Sequence, residues 1–205
     1  HIFSVIIICR MRKMPFEGMT LLDYAINAAR VLLNIAMQKQ DRAGLITFAQ
    51  STDIFIPADK KPAQLNLILE SLYRQHTKFL EPDLEQLFSV IRNRISQRSL
   101  LVLFTNYETM ESLQRDLPFF KRLSHYHLLM VVFFENTELQ TLTESKPKNI
   151  EDIYIKTIAQ KYMMEKKLMV KELHKLGIIA VLTTPQNLTV NTLNKYLELK
   201  NRQFI

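Results

Sequence analysis

The sequence predicts an α/β fold, a doubly wound and mostly parallel six-stranded sheet of the Rossmann-like kind with one antiparallel edge strand. Short apolar runs alternate with longer amphipathic stretches, which is typical of βαβ units. Two of the apolar runs, 43–48 and 53–56, are separated only by a short polar turn. This spacing favours a hairpin and therefore one antiparallel strand. With 205 residues, 47% of them hydrophobic, the chain can form one ordinary core, so we expect a single domain over 1–205.

The strands are predicted from apolar runs rich in β-branched residues, as expected for strands buried on both faces. The run 2–8 is almost uninterrupted, and 99–105 should be the most buried strand of the sheet. The predicted strands are 2–8, 43–48, 53–56, 99–105, 127–134 and 178–182.

The helices are predicted from apolar residues that recur every three or four positions. Thr20, with Asp23 three residues later, is typical of a helix N-terminus, and Gly177 is typical of a helix end. Pro118 predicts a kink or an interruption, and 141–148 is predicted to be a loop. The predicted helices are 20–40, 62–75, 82–95, 111–123, 150–176 and 189–203.

Composition narrows the class of protein. A net charge of +7 would permit an anionic partner without requiring one, and the single cysteine excludes an internal disulfide. No run approaches the roughly 18–20 apolar residues that a membrane helix needs. Because the chain begins at His1 and enters a strand at once, we expect a fragment that lacks an N-terminal region.

The segment after the first strand is the first place to look for chemistry, because ligands of such sheets lie beyond the C-terminal ends of the strands. Its only glycine is Gly18, which argues against the glycine-rich loops that bind nucleotides. Cys9 could be a nucleophile, and Arg10, Arg12 and Lys13 could hold phosphate. A strand-closing apolar residue and a solvated basic loop are the simpler interpretations, since no histidine partner for the cysteine is recognisable.

Three segments resemble a known family. They are Met-Pro-Phe-Glu-Gly-Met-Thr-Leu-Leu-Asp-Tyr-Ala-Ile-Asn-Ala-Ala at 14–29, Asp-Arg-Ala-Gly-Leu-Ile-Thr-Phe at 41–48 and Leu-Val-Leu-Phe-Thr-Asn at 101–106. Together they resemble a bacterial family of unknown function with a von Willebrand factor A-like domain, commonly found beside MoxR-type AAA+ ATPases, and its Bacteroidetes-type members in particular. The resemblance covers nearly the whole chain and implies the same doubly wound sheet. Full-length members of this family usually carry N-terminal membrane helices. The resemblance therefore implies that this domain lies at the cytoplasmic face of the membrane, where a region before His1 could anchor it.

The resemblance also bears on metal binding. Many von Willebrand A domains hold Mg²⁺ in a metal-ion-dependent adhesion site, with Asp-x-Ser-x-Ser after the first strand, a later Thr and an Asp after the fourth strand. The resemblance places these five positions at Ile7, Cys9, Met11, Thr77 and Asn106. Mg²⁺ needs hard oxygen ligands, and sulfur is a poor substitute. We therefore expect a degenerate site that binds no metal, and no other cofactor.

The resulting hypothesis is a non-enzymatic adaptor or scaffold domain, with a MoxR-type AAA+ ATPase as the implied partner and neither nucleic acid nor membrane contacted by this chain. Its binding surface should be formed by the loops 9–18, 77–83 and 105–109. The partner-binding residues would be Cys9, Arg10, Met11, Arg12, Lys13, Phe16, Thr77, Asn106 and Glu108. The alternative is an enzyme that uses Cys9 as its nucleophile or binds phosphate at Arg10, Arg12 and Lys13.

Overall fold

A computed structural model describes residues 2–8, 15–16, 18–48, 52–74, 82–135, 137–144 and 149–204. The strands are β1 (Ile2–Ile8), β2 (Pro15–Phe16), β3 (Met19–Thr20), β4 (Arg42–Phe48), β5 (Thr52–Asp59), β6 (Leu100–Phe104), β7 (Leu128–Phe134) and β8 (Ile179–Thr183). Six of these strands form one sheet, in the order β5-β4-β1-β6-β7-β8. All neighbours in the large sheet are parallel except β4 and β5, which confirms the predicted antiparallel edge strand.

Helices cover both faces of this sheet. They are α1 (Leu21–Gln38), α2 (Ala63–Tyr73), α3 (Leu84–Arg94), α4 (Met110–Tyr126), α5 (Thr137–Glu144), α6 (Ile150–Lys175) and α7 (Leu188–Asn201). One apolar core contains buried residues of α1, α2 and α7, and a second contains those of α3, α4 and α6. The fold is therefore doubly wound and Rossmann-like, as the alternation of apolar runs predicted.

Strand β6 lies at the centre of the sheet. All five of its residues are fully buried, because the strand pairs with β1 on one side and β7 on the other. Its side chains alternate between the two cores: Val102 and Phe104 belong to one, Leu101 and Leu103 to the other. The prediction that this would be the most buried kind of strand is confirmed.

Local chemistry sets several helix ends. Thr20 and Asp23 form a capping box, in which the Thr20 amide donates to the Asp23 carboxylate at 2.8 Å and the Asp23 amide donates to the Thr20 hydroxyl at 3.2 Å. Asp83 caps α3 by accepting hydrogen bonds from the amides of Glu85 and Gln86. Gly177, just after α6, has φ of +72°, a conformation that favours glycine.

One prediction about helices was wrong, and of the kink or interruption predicted at Pro118 the interruption does not occur. Residues 137–144 form α5, so the predicted loop at 141–148 begins too early; it overlooked the packing of this helix on α6, where the Thr143 hydroxyl lies 3.8 Å from the Met163 sulfur. Pro118 does not interrupt α4, which runs continuously through it. The buried side chains of Leu113, Phe120 and Leu123 hold both halves of α4 against one core and compensate for the missing amide.

The last helix, α7, packs against the beginning of the chain. The Tyr196 ring lies 5.2 Å from the Phe3 ring in β1, measured between centroids. The Tyr196 hydroxyl donates to Asp41, just before β4, at 2.6 Å, and the Lys200 ammonium donates to the same carboxylate oxygen at 2.6 Å. Burial opposes ionisation of Asp41, but these two donors outweigh it and hold the pKa of the carboxyl below its ordinary value.

Among the described residues, no helix combines the length and the hydropathy that crossing a membrane requires.

Candidate functional site

The strand order changes direction at the C-terminal ends of β1 and β6, where a ligand crevice is expected in this class of fold. From β1 the chain moves first to one side, to β4, and later to the other side, to β6 and β7. In a parallel sheet the loops after two such strands diverge and leave a space where ligands bind. The loop 9–14 after β1 lies outside the described residues, whereas the loop 105–109 after β6 is described.

A buried tyrosine anchors the loop after β6. Tyr107 is 1% exposed, and its hydroxyl donates to the Asp116 carboxylate of α4 at 2.8 Å. Its ring meets the rings of Phe120 and Phe133 edge to face, with centroids 6.1 and 6.0 Å away. These contacts hold the loop against α4 and the core. They also hold the half-buried neighbour Asn106 at the C-terminal end of β6.

Asn106 receives a hydrogen bond from a lysine sixty residues further along the chain. The Lys166 ammonium in α6 donates to the Asn106 Oδ1 at 2.6 Å. Burial lowers the pKa of Lys166 to about 8, while the negative charge of Glu108 opposes part of this shift. At pH 7, which lies below that value, the lysine is mostly protonated. The crevice therefore has a positive charge held in place by a neutral amide.

The arrangement does not fit the metal site that the resemblance implies. Ile7, at the position of the anchoring carboxylate, is 1% exposed and belongs to an apolar core. The Asn106 oxygen, at the position of the late carboxylate, already accepts from a cation. A divalent ion beside it would be repelled by the Lys166 charge and would find no carboxylate at either position. Within the described residues, no three His, Cys, Asp or Glu side chains come together as metal ligands.

Two buried hydroxyl groups lie near the same C-terminal ends of the strands. Thr47 of β4 lies in register with Ile7 on the neighbouring strand β1, and Thr105 directly follows β6. Both residues are fully buried, and their hydroxyl oxygens have no hydrogen-bond partner in the described part of the chain. Such groups carry an uncompensated desolvation cost, so the C-terminal end of the sheet is less stable than its burial alone suggests.

The structure places only part of the surface predicted from the sequence. Asn106 and Glu108 lie together in the loop after β6, as predicted. Phe16 lies in β2, which pairs with β3 in a short hairpin, and only the backbone of β2 is described. The other predicted partner-binding residues lie outside the described residues: Cys9, Arg10, Met11, Arg12, Lys13 and Thr77.

Sequence reasoning missed Lys166, although a signal was present. Ala159, Met169 and Leu173 are the buried residues of α6, and position 166 falls on the same face at helical spacing. A lysine on a core-facing stripe is unusual, because its charge must be left in water or given a partner. Such a position predicts a side chain that extends to the end of the sheet, although it does not identify the acceptor.

No family model and no curated protein match this chain. Among solved structures, one similar chain is proximal thread matrix protein 1 from the mussel byssus, at 8% sequence identity and a TM-score of 0.45. The match covers 92% of this chain but 44% of that protein, so this chain spans less than half of its length.

Proposed function

We propose that this chain is a non-enzymatic protein-interaction domain that binds its partner at the C-terminal ends of β1 and β6. The observation that carries the proposal is the hydrogen bond between Lys166 and Asn106 at the C-terminal end of β6, with the exposed carboxylate of Glu108 in the same loop. The lysine charge is held by neighbouring side chains on a firmly anchored loop, an arrangement suited to recognition because little order has to be gained on binding.

The contacts of this group suit binding. The Lys166 ammonium is held by the Asn106 side-chain amide, which can neither accept nor release a proton. A partly buried ammonium next to an exposed carboxylate, Glu108, can instead select a polar or acidic side chain of a partner. A MoxR-type AAA+ ATPase is the partner we propose to test first, on the strength of the sequence resemblance.

Hydrogen exchange can test the location of binding. The chain would be mapped alone and with a MoxR-type ATPase, at concentrations where a complex is measured independently. We expect slower exchange at 105–109 and no change at 95–99, at the opposite end of the sheet. A measured complex without protection at 105–109 would show that the partner binds elsewhere.

Two matched variants test the chemistry. Lys166→Gln removes the charge at the crevice, whereas Lys161→Gln removes an exposed charge from the same helix. Loss of a partly buried charge should weaken binding about tenfold or more, and loss of the exposed charge should change it by less than about twofold. Equal effects would mean that only the overall charge of the chain matters. Binding should be unchanged by a chelator, since the crevice does not fit a divalent ion.

A further inference from the structure

The two edges of the large sheet differ in how well they are protected. At one edge, β5 contains Pro57 and Asp59, and its pairing with β4 shifts register twice. Prolines, charges and bulges are the usual features that prevent an edge strand from pairing with another chain. At the other edge, β8 has the sequence Ile-Ala-Val-Leu-Thr, without charge or proline, and pairs with β7 in regular register.

The backbone of β8 has hydrogen-bonding groups directed away from the sheet. The Thr183 carbonyl accepts from the Glu135 amide just beyond β7, so residues 179, 181 and 183 direct their polar groups inward. Ala180 and Leu182 therefore direct theirs outward. The Ala180 amide donates a long hydrogen bond of 3.4 Å to the His174 ring. In the described part of the chain, the Leu182 amide and the carbonyls of Ala180 and Leu182 have no protein partner.

A groove runs along this edge. It has a volume of about 800 Å³ and lies between β8 and the outer side of α7, with Leu128 and Leu199 among its apolar lining. Four of the five residues of β8 are only partly buried, because α7 packs on the first half of the chain and leaves the edge strand open. At about 3.3 Å per residue, β8 offers about 16 Å of edge.

The wall of the groove is positively charged. Lys195 and Arg202 of the α7 region both pair with Glu198, at 2.9 and 3.2 Å. Among the described residues, two cations thus share one carboxylate, which leaves one positive charge to be balanced. A second copy of this chain, paired edge to edge about a twofold axis normal to the sheet, would set two such walls against each other. An extended segment with a carboxylate would instead neutralise the excess.

From these observations we infer that β8 is a docking edge for an extended peptide segment of a partner protein, which adds to the sheet as a seventh strand. Backbone hydrogen bonds to Ala180 and Leu182 would supply the affinity. Alternate side chains of the segment would face the α7 wall, apolar ones toward Leu199 and an acidic one toward Lys195 and Arg202. This edge is separate from the crevice of the proposed function, so the two sites can be tested independently.

The probe is a synthetic peptide, acetyl-Thr-Val-Thr-Glu-Thr-Val-Thr-amide, which places both valines and the glutamate on one face when extended. Binding to the intact chain is followed by amide chemical shifts. We expect the largest changes at Ala180 and Leu182. Two N-methylated forms, with methyl groups on the odd or on the even residues, provide the decisive control. A strand uses every second amide, so one form should lose at least about tenfold in affinity and the other should bind nearly as well as the parent.

Charge reversal tests the acidic position. Arg202→Glu should weaken the peptide about fivefold or more, and a peptide with Lys in place of Glu should recover the loss. Lys171→Glu, on an exposed face of α6, is the matched control and should leave the affinity unchanged. The inference is overturned if the parent peptide does not bind, or if both N-methylated forms bind equally well. It is also overturned if the shifts at Ala180 and Leu182 follow protein concentration without peptide, since the occupant would then be a second copy.

Discussion

Removing the Tyr107 hydroxyl should measurably destabilise the chain. The variant Tyr107→Phe keeps the ring, and with it the edge-to-face contacts to Phe120 and Phe133. What is lost is one hydrogen bond of 2.8 Å to the buried carboxylate of Asp116. A bond to a charged acceptor contributes about 1.5–3 kcal/mol, and removing the donor leaves part of a buried charge unsatisfied. We therefore expect the free energy of unfolding to fall by about 1.5–3 kcal/mol.

Urea denaturation followed by circular dichroism measures this change. The midpoint should fall while the slope stays constant, because the surface exposed on unfolding is the same. In a thermal scan the same loss corresponds to a Tm lower by about 3–12 °C for a chain of this size. Tyr126→Phe is the control: that tyrosine is 44% exposed, and its loss should cost less than about 0.5 kcal/mol.

A double-mutant cycle with Asp116→Asn then isolates the pair. If the two side chains act together, the double variant should be less destabilised than the sum of the single variants by about 1 kcal/mol or more. Additive effects, or a Tyr107→Phe cost below about 0.5 kcal/mol, would refute the view that this hydrogen bond anchors the loop after β6.

Three further predictions concern the core, the C-terminal helix and the crevice. Leu103→Ala should lower the free energy of unfolding by about 2–5 kcal/mol in urea titrations, since the side chain is fully buried between sheet and helices; a cost under about 1 kcal/mol would contradict that packing. Asp41→Asn should lower the free energy of unfolding at neutral pH. The pKa of Asp41 is lower in the folded chain than its ordinary value near 3.8, so the ionised carboxylate stabilises the fold at pH values above 3.8, and this stabilisation is lost as the pH falls through the folded pKa. In acid titrations the stabilities of the two chains should therefore converge. Lys166→Met should raise the free energy of unfolding by about 1–3 kcal/mol at pH 7, because a partly buried cation is removed. The pKa of Lys166 is about 8 in the folded chain and near 10.5 in the unfolded chain, so the parent, but not the variant, should become more stable as the pH rises from 8 to 10.5. Equal pH profiles for the two chains would show that burial of the Lys166 charge is not the reason for the difference in stability.

The parts of the fold that could be predicted from the sequence are those set by local chemistry. Strand β1 could be predicted because its apolar run is short, continuous and rich in β-branched residues. Helix α1 begins after Thr20 because Thr20 and Asp23 cap each other. Such signals involve residues three or four positions apart. The antiparallel edge was predictable for the same reason, from the short turn between β4 and β5.

The errors concern contacts between distant residues. Helix α5 is short, with modest periodicity of its own, and it is held by α6. Pro118 is tolerated because the surrounding core outweighs the lost hydrogen bond. The bond between Lys166 and Asn106 joins residues sixty positions apart, and no local pattern specifies which acceptor a lysine will reach. The loop after β6 that contains Asn106 and Glu108 could therefore be located from the sequence, but the contact between Lys166 and this loop could not.

The packing of α7 on β1 has a consequence for how the protein is made. Tyr196 covers Phe3 and donates to Asp41, so strand β1 is covered by a helix that is synthesised much later. At about 5–20 residues per second, the residues between β1 and Tyr196 take about 10–40 s to synthesise. During that time one face of β1 lacks its final cover and is open to chaperones or to association with other nascent chains. A fragment that ends before Tyr196 would stay in that state, and we expect it to accumulate as aggregates even though all the strands of the sheet are present.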